Sequence, residues 1–241
     1  MDEISALADD IEARLRAAGQ PDRAEGERRY LKSDLEHVGA SVPAIRKVAA
    51  DVHRARADMA HDELVALVEA LWAVPVHERR MAAVELLGFG VGALSVGDAP
   101  LLERLVRTSR TWALVDPLAV KVIGVLAERQ PAGWDPIVRR WASDDDVWVR
   151  RASLLAHLPG LRAGAGDFDR FGALAEALLD DREFFVRKAI GWVLRETGKQ
   201  RPELVTGWLL PHAARAAGVT VRQAVKHLPE RDRRRIIARR A

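Results

Sequence analysis

The chain has 241 residues, 49% hydrophobic and 30% charged, with 38 Lys and Arg against 35 Asp and Glu and no cysteine. Such a length gives one domain or at most two, with enough apolar material for a continuous core. The missing cysteines exclude disulfides, thiolate metal sites and a cysteine nucleophile.

At the start of the chain, Met1-Asp2-Glu3 is acidic where a secretory signal would be basic. No run approaches the roughly 18 apolar residues that cross a bilayer, so the expectation is a soluble, cytoplasmic protein. Apolar residues then recur at helical spacing almost everywhere, as in Leu64, Leu67, Val68, Leu71 and Trp72, and strand-like alternation is nearly absent. Gly and Pro cluster between these segments, at Gly19–Pro21, Gly97–Pro100, Pro131–Gly133, Pro159–Gly166 and Pro202. This pattern predicts an all-α chain of short helices, roughly 10 to 16 residues each. The seven histidines, at 37, 53, 61, 77, 157, 212 and 227, fall in no recognised ligand spacing, so no metal site is expected.

An internal repeat runs along this helical pattern. Val149-Arg150-Arg151-Ala152, Val186-Arg187-Lys188-Ala189 and Val221-Arg222-Gln223-Ala224 share a Val-Arg-x-Ala core, with Asp146 and Asp181 shortly upstream of the first two. The period of about 35 residues is that of the second helix in a HEAT-type repeat. Stepping back at the same interval reaches Asp116 and then Arg80, so the registers are Arg80, Asp116, Arg150, Arg187 and Arg222. The predicted fold is an all-α, HEAT-like solenoid spanning residues 1–241 as a single domain of about six helical repeats. Equivalent positions of a solenoid project onto one surface, so these side chains are expected on one concave, basic face.

Four arginines around one carboxylate suit a site in which the cations hold phosphates and Asp116 faces a cationic centre. Asp116 could equally cap a helix starting at Pro117, and the residues alone leave both readings open. Seven tryptophans accompany five Phe and one Tyr. Trp112 lies four residues before Asp116, on the same helical face, and Trp192 follows Arg187 by five. An Asp flanked by Trp on a basic face would hold a flat, cationic group by charge and stacking. Basic residues concentrate late in the chain: residues 182–241 hold 15 Lys/Arg against 5 Asp/Glu, a net +10, while the first 181 hold 23 against 30, a net −7. A polyanionic partner for the later part follows from this asymmetry.

Lys188-Ala189-Ile190-Gly191-Trp192-Val193-Leu194-Arg195-Glu196, preceded by Glu183-Phe184-Phe185, resembles the hallmark segment of the AlkD family of DNA alkylation-repair glycosylases. Further similarities lie at Arg29-Tyr30-Leu31-Lys32, Val42-Pro43 with Arg46, Leu71-Trp72 with Pro75, Trp112 with Asp116, Ala142-Ser143-Asp144 through Trp148, and Ala224-Val225-Lys226-His227. The resemblance implies a helical-repeat enzyme that excises N3- and N7-alkylated purines from duplex DNA without metal or cofactor. A solenoid that wraps duplex DNA has no need of a partner, so a monomer is expected. It implies Asp116, Trp112 and Trp192 as catalytic residues, Arg151 and Arg195 as DNA contacts, and Tyr30 near the same cleft. Lys188, Arg187, Arg222 and Lys226 join the expected DNA-binding set. The repeat register, Arg150 included, does not coincide with Arg151 and Arg195. Thr111 and Ala113 depart from the family member compared, which has Trp and Asp there. A non-catalytic binder of distorted or branched DNA, and a protein-interaction scaffold, are the alternatives; retention of Asp116 with both Trp favours the enzyme.

Overall fold

The computed structural model describes residues 3–240. Contacts divide the chain into two units, Met1–Leu118 and Ala119–Ala241. The first contains α1 (Glu3–Ala17), α2 (Pro21–Leu31), α3 (Val42–Ala55), α4 (His61–Ala73), α5 (His77–Phe89), α6 (Ala99–Ser109) and α7 (Trp112–Leu118). Helices α3, α5 and α7 pack in succession as one layer, and α1 packs on α4 in the other. Helix α6 joins this second layer through α4: the Trp72 indole donates to Thr108 Oγ1 at 2.8 Å, and Arg104 of α6 donates to Glu69. Helix α3 illustrates the local cause. Ile45, Val48, Ala49 and Val52 make one buried stripe, Pro43 sits in the first turn, and Ser41 accepts the Ala44 N–H at 3.3 Å.

The second unit opens with a π-helical stretch, Ala119–Ile123. It continues through α8 (Gly124–Arg129), α9 (Pro131–Ala142), α10 (Val147–Leu155), α11 (Leu158–Arg162), α12 (Phe168–Ala177), α13 (Phe184–Thr197), α14 (Pro202–His212), α15 (Gly218–Ala224) and α16 (Glu230–Ala238). Helices α9, α12, α14 and α16 pack in sequence as one layer, and α10, α13 and α15 as the other. Pro21, Pro131 and Pro202 each begin a helix, where the missing N–H has no carbonyl to serve.

The all-α expectation is met. Among the described residues there is no strand, only a single-residue parallel bridge between Glu36 and Val76. The repeat is visible as hydrogen bonds and ion pairs between residues 33 to 37 apart. Trp208 Nε1 donates to the Gly172 carbonyl across 36 residues, Thr220 Oγ1 to that of Arg187 across 33, and Arg14 pairs with Asp51 across 37. Helix lengths run from 5 to 15 residues, wider than expected. The short ones have local causes: α7 contains Pro117, and α11 has Pro159 in its first turn and is followed by Gly164 in the left-handed region at φ +81°.

Candidate functional site

The five repeat registers all fall at the fourth or fifth residue of a helix in the same type of layer: Arg80 on α5, Asp116 on α7, Arg150 on α10, Arg187 on α13 and Arg222 on α15. What their side chains do differs. Arg80 lies over the Trp72 ring at 5.2 Å and donates to the Thr108 carbonyl at 2.9 Å. Arg150 donates to the carbonyls of Asp144 and Asp145 and pairs with Asp181 at 2.7 Å. Arg187 donates to the Asp181 carbonyl at 2.5 Å. These arginines tie each helix to the loop before it or to the next repeat. Arg222 alone of the four is exposed, with no acidic partner among the described residues.

In the first unit, Trp112 and Asp116 share one half-buried face of α7, while Leu114, Val115 and Leu118 fill the core. Asp116 is the fifth residue of the helix, so it does not cap a helix beginning at Pro117. The cap is Thr111, whose carbonyl accepts the N–H groups of Leu114 and Val115 and whose Oγ1 accepts that of Ala113 at 3.3 Å. Pro117 sits inside α7 and has no N–H for the preceding turn. Tyr30, at the end of α2, is 75% exposed, yet its ring meets Trp112 edge-on at 6.1 Å and 86°. Beside them Arg110 pairs with Asp34 and holds its carboxyl below the usual carboxylate range.

In the second unit, Phe184, Lys188, Trp192 and Arg195 form one stripe of α13 at spacings of four, four and three. All are exposed or half-buried, while Val186, Ala189, Ile190, Val193 and Leu194 are buried. Lys188 Nζ lies over the Phe184 ring at 5.7 Å, Phe184 meets Phe185 edge-on at 5.5 Å, and Phe185 leans on Trp148 of α10 at 4.9 Å. Arg151 is 2% exposed; its guanidinium donates to the Phe185 carbonyl at 2.5 Å and lies 5.8 Å from the Phe185 ring. It therefore supports the aromatic group from inside and does not present its cation to solvent. Arg195 is held by Gln223 of α15 at 2.7 Å and by Glu196 at 3.0 Å, and its side chain is 27% exposed. Lys226, in the 3-10 turn after α15, is exposed.

Gly191 explains how α13 and α15 come so close. A methyl group there would lie 2.8 Å from the Thr220 carbonyl oxygen and 3.0 Å from its Cα. The sequence reading missed Trp148, Phe184 and Phe185 as a group, although all three lie in the quoted segments. It also missed the pair of Arg110 and Asp34, for which no local pattern gave a signal, and the capping role of Thr111, which a Thr just before the apolar run Trp112–Val115 does signal.

One set of potential metal ligands occurs among the described residues, Glu27, His37 and Glu78, with ligand atoms within 4.8 Å of one another. Both oxygens of the fully buried Glu78 already accept backbone N–H groups, from Val38 at 3.0 Å and Gly39 at 2.7 Å. That carboxylate organises the loop before α3. No helix among the described residues is long and apolar enough to cross a membrane.

A family model described as DNA alkylation repair enzyme matches residues 11–228. No curated protein sequence matches the chain. Among solved structures, a predicted DNA alkylation repair enzyme from Enterococcus faecalis aligns at a TM-score of 0.78 and 20% identity, covering 88% of this chain and 97% of that one. AlkD2 from Streptococcus mutans aligns at 0.62 and 17% identity, covering 85% and 99%. At these identities the likeness concerns the fold, and it is a fold of helical repeats.

Proposed function

Since the chain belongs to the DNA alkylation repair enzyme family, we propose that it is a DNA glycosylase that hydrolyses the N-glycosidic bond of N3- or N7-alkylated purines in duplex DNA, bulky adducts included. The observation that carries this reading is the face of α7: a half-buried carboxylate, Asp116, one turn from Trp112, with the exposed ring of Tyr30 against that Trp.

Alkylation at N3 or N7 makes the purine cationic and a good leaving group, so little acid catalysis is needed. The barrier lies in the positive charge that grows on the deoxyribose as its bond to the base lengthens. A fixed carboxylate near that sugar lowers this barrier electrostatically and orients the attacking water. Asp116 takes that role. The face of Trp112 favours a cationic nucleotide over a neutral one, and Trp192 gives the second unit an aromatic face of the same kind. Lys188 and Arg195 hold backbone phosphates, and Arg151 acts as a positioning residue by fixing Phe185 beside Trp148. Gripping the backbone removes the need to extrude the base into a tight pocket, the usual route of base-processing enzymes. The protein works as a monomer in the cytoplasm, on the nucleoid, without metal or cofactor.

The test is release of 7-methylguanine from methylated duplex DNA, with Asp116→Asn alongside and no added metal. The expected result is release by the wild type and at least a hundredfold slower release by the variant, about the effect of removing one transition-state electrostatic partner, with duplex affinity retained. Equal release by both proteins would remove Asp116 from the mechanism. Tight binding without release from methylated DNA or from a bulky N3-adduct would leave a non-catalytic binder.

A further inference from the structure

The family match ends at residue 228, and the most basic helix of the chain begins two residues later. Residues 230–240 hold six arginines against Glu230 and Asp232. Those two acids are occupied: Glu230 by Arg233 and Arg234, Asp232 by Arg235. Arg231, Arg239 and Arg240 are exposed and have no acidic partner among the described residues, and the same holds for Arg222 and Lys226 just upstream. Five unpaired cations thus lie within 19 positions of sequence.

Two of them converge. A methyl group placed on Gly218 would lie 2.9 Å from Nη1 of Arg222 and 3.8 Å from Nη1 of Arg240, so guanidinium groups from α15 and from the end of α16 bracket one small patch. Like charges held together without a counter-charge repel unless an anion joins them. The patch is also continuous with the α13 stripe, because Gln223, next to Arg222, is the residue that holds Arg195. Helix α16 is anchored by buried Ile236 alone and turns its arginines outward. A helix fixed by so little apolar surface while presenting so much charge fits a polyanion better than a protein core.

We infer that α16, with Arg222, is a second duplex-binding element, in which Arg222, Arg239 and Arg240 hold backbone phosphates outside the lesion and add affinity without sequence or lesion preference. This rests on the reading of the protein as acting on duplex DNA. It predicts two classes of contact, one at the lesion and one along undamaged backbone.

The test is the full-length Arg231→Gln/Arg239→Gln/Arg240→Gln protein, compared with wild type by fluorescence anisotropy on undamaged duplexes of 12 and 24 base pairs from 50 to 300 mM salt. Circular dichroism provides the folding check, and the corresponding three-Lys protein keeps the charge. The expected result is affinity for the longer duplex at least about tenfold weaker at 100 mM salt, with a log–log salt slope shallower by about 2, near 0.9 per phosphate lost. The Lys protein should keep most of the slope, and the Gln protein should lose the wild type's preference for the longer duplex. Unchanged slope and affinity beside a wild type that binds steeply would overturn the inference and leave the glycosylase reading intact. A wild type with no salt-dependent duplex binding would overturn both.

Discussion

Helices α7 and α13 carry the candidate residues of their respective units and are built on opposite plans. Helix α7 has seven residues, a proline inside it and a side-chain cap at its start, and it presents a carboxylate. Helix α13 has fourteen residues, a glycine where α15 presses against it, and a stripe of cations and aromatic rings. A carboxylate that must face a developing cation has to be fixed against water and against nearby arginines. A phosphate-holding stripe needs reach and charge. The short, irregular helix suits the first task and the long, well-packed one the second. The irregularity next to Asp116 has a chemical source in Pro117, which withholds the N–H that would bond the preceding turn.

The largest expected effect tests that division. Asp116→Asn should reduce excision at least a hundredfold with little change in affinity. Arg195→Gln should do the reverse, weakening duplex binding about tenfold and flattening its salt slope by about 0.9, while single-turnover excision at saturating protein changes far less. Equal losses of rate and affinity in both variants would dissolve the distinction between the two helices.

Much of this was legible in the sequence because the repeat is periodic. The Val-Arg register located the fourth or fifth residue of five helices, and the i, i+4 spacing put Trp112 with Asp116. The destinations of the arginines were not legible. Arg150 and Arg187 stand at positions that a solenoid would turn toward a ligand, and the resemblance implied Arg151 as a DNA contact, yet each is held by a protein carbonyl. Which groups a side chain meets depends on the loop before its helix and on the next repeat, neither of which a single period encodes. The cap reading of Asp116 failed for a similar reason. Asp followed by Pro is a common helix start, but Thr111 begins this helix a turn earlier and Pro117 is accommodated inside it.

The second effect lies on α13. Gly191→Val would place a branched Cβ against the Thr220 backbone and Gln223 Cβ, and it should lower the stability of the second unit by about 3 kcal/mol. Gly191→Ala should cost less, because the gain in helix propensity offsets part of the overlap. Chemical denaturation followed by tryptophan fluorescence would report both. A Val variant as stable as wild type would mean that the α13–α15 approach is looser than these distances require.

The third effect distinguishes the units by pH. Burial pushes His77, in the first unit, down to about 3, and His157, in the second, down to about 4. Both are neutral when folded and free to protonate near 6.5 when unfolded, so the unfolded state binds more protons below that pH. Stability is therefore complete above about pH 6.5 and falls by about 1.4 kcal/mol per pH unit for each histidine on acidification towards its folded value, close to 2 kcal/mol apiece at pH 5. His61 works the other way, raised by Asp62 and Asp98, but it is exposed and its contribution is screened. Urea midpoints at pH 7.5, 6 and 5 should fall for wild type and fall less for His77→Phe. A midpoint constant across that range would mean that neither histidine is buried in neutral form.

The smallest effect is the most local. Thr111 stands where the compared family member has Trp, and here its hydroxyl and carbonyl close the first turn of α7. Thr111→Ala removes the side-chain acceptor and should cost about 1 kcal/mol, the usual worth of such a cap, while Thr111→Ser should restore most of it. The consequence for function follows from the length of the helix. With only seven residues and a proline inside, α7 has few hydrogen bonds with which to absorb a frayed first turn, and Trp112 is the residue immediately after the cap. The Ala variant should therefore excise more slowly while binding undamaged duplex as wild type does, and the Ser variant should recover the rate. If the Ala variant instead lost affinity and kept its rate, the first turn of α7 would serve the grip on DNA, and the contrast with α13 would fail where it is sharpest.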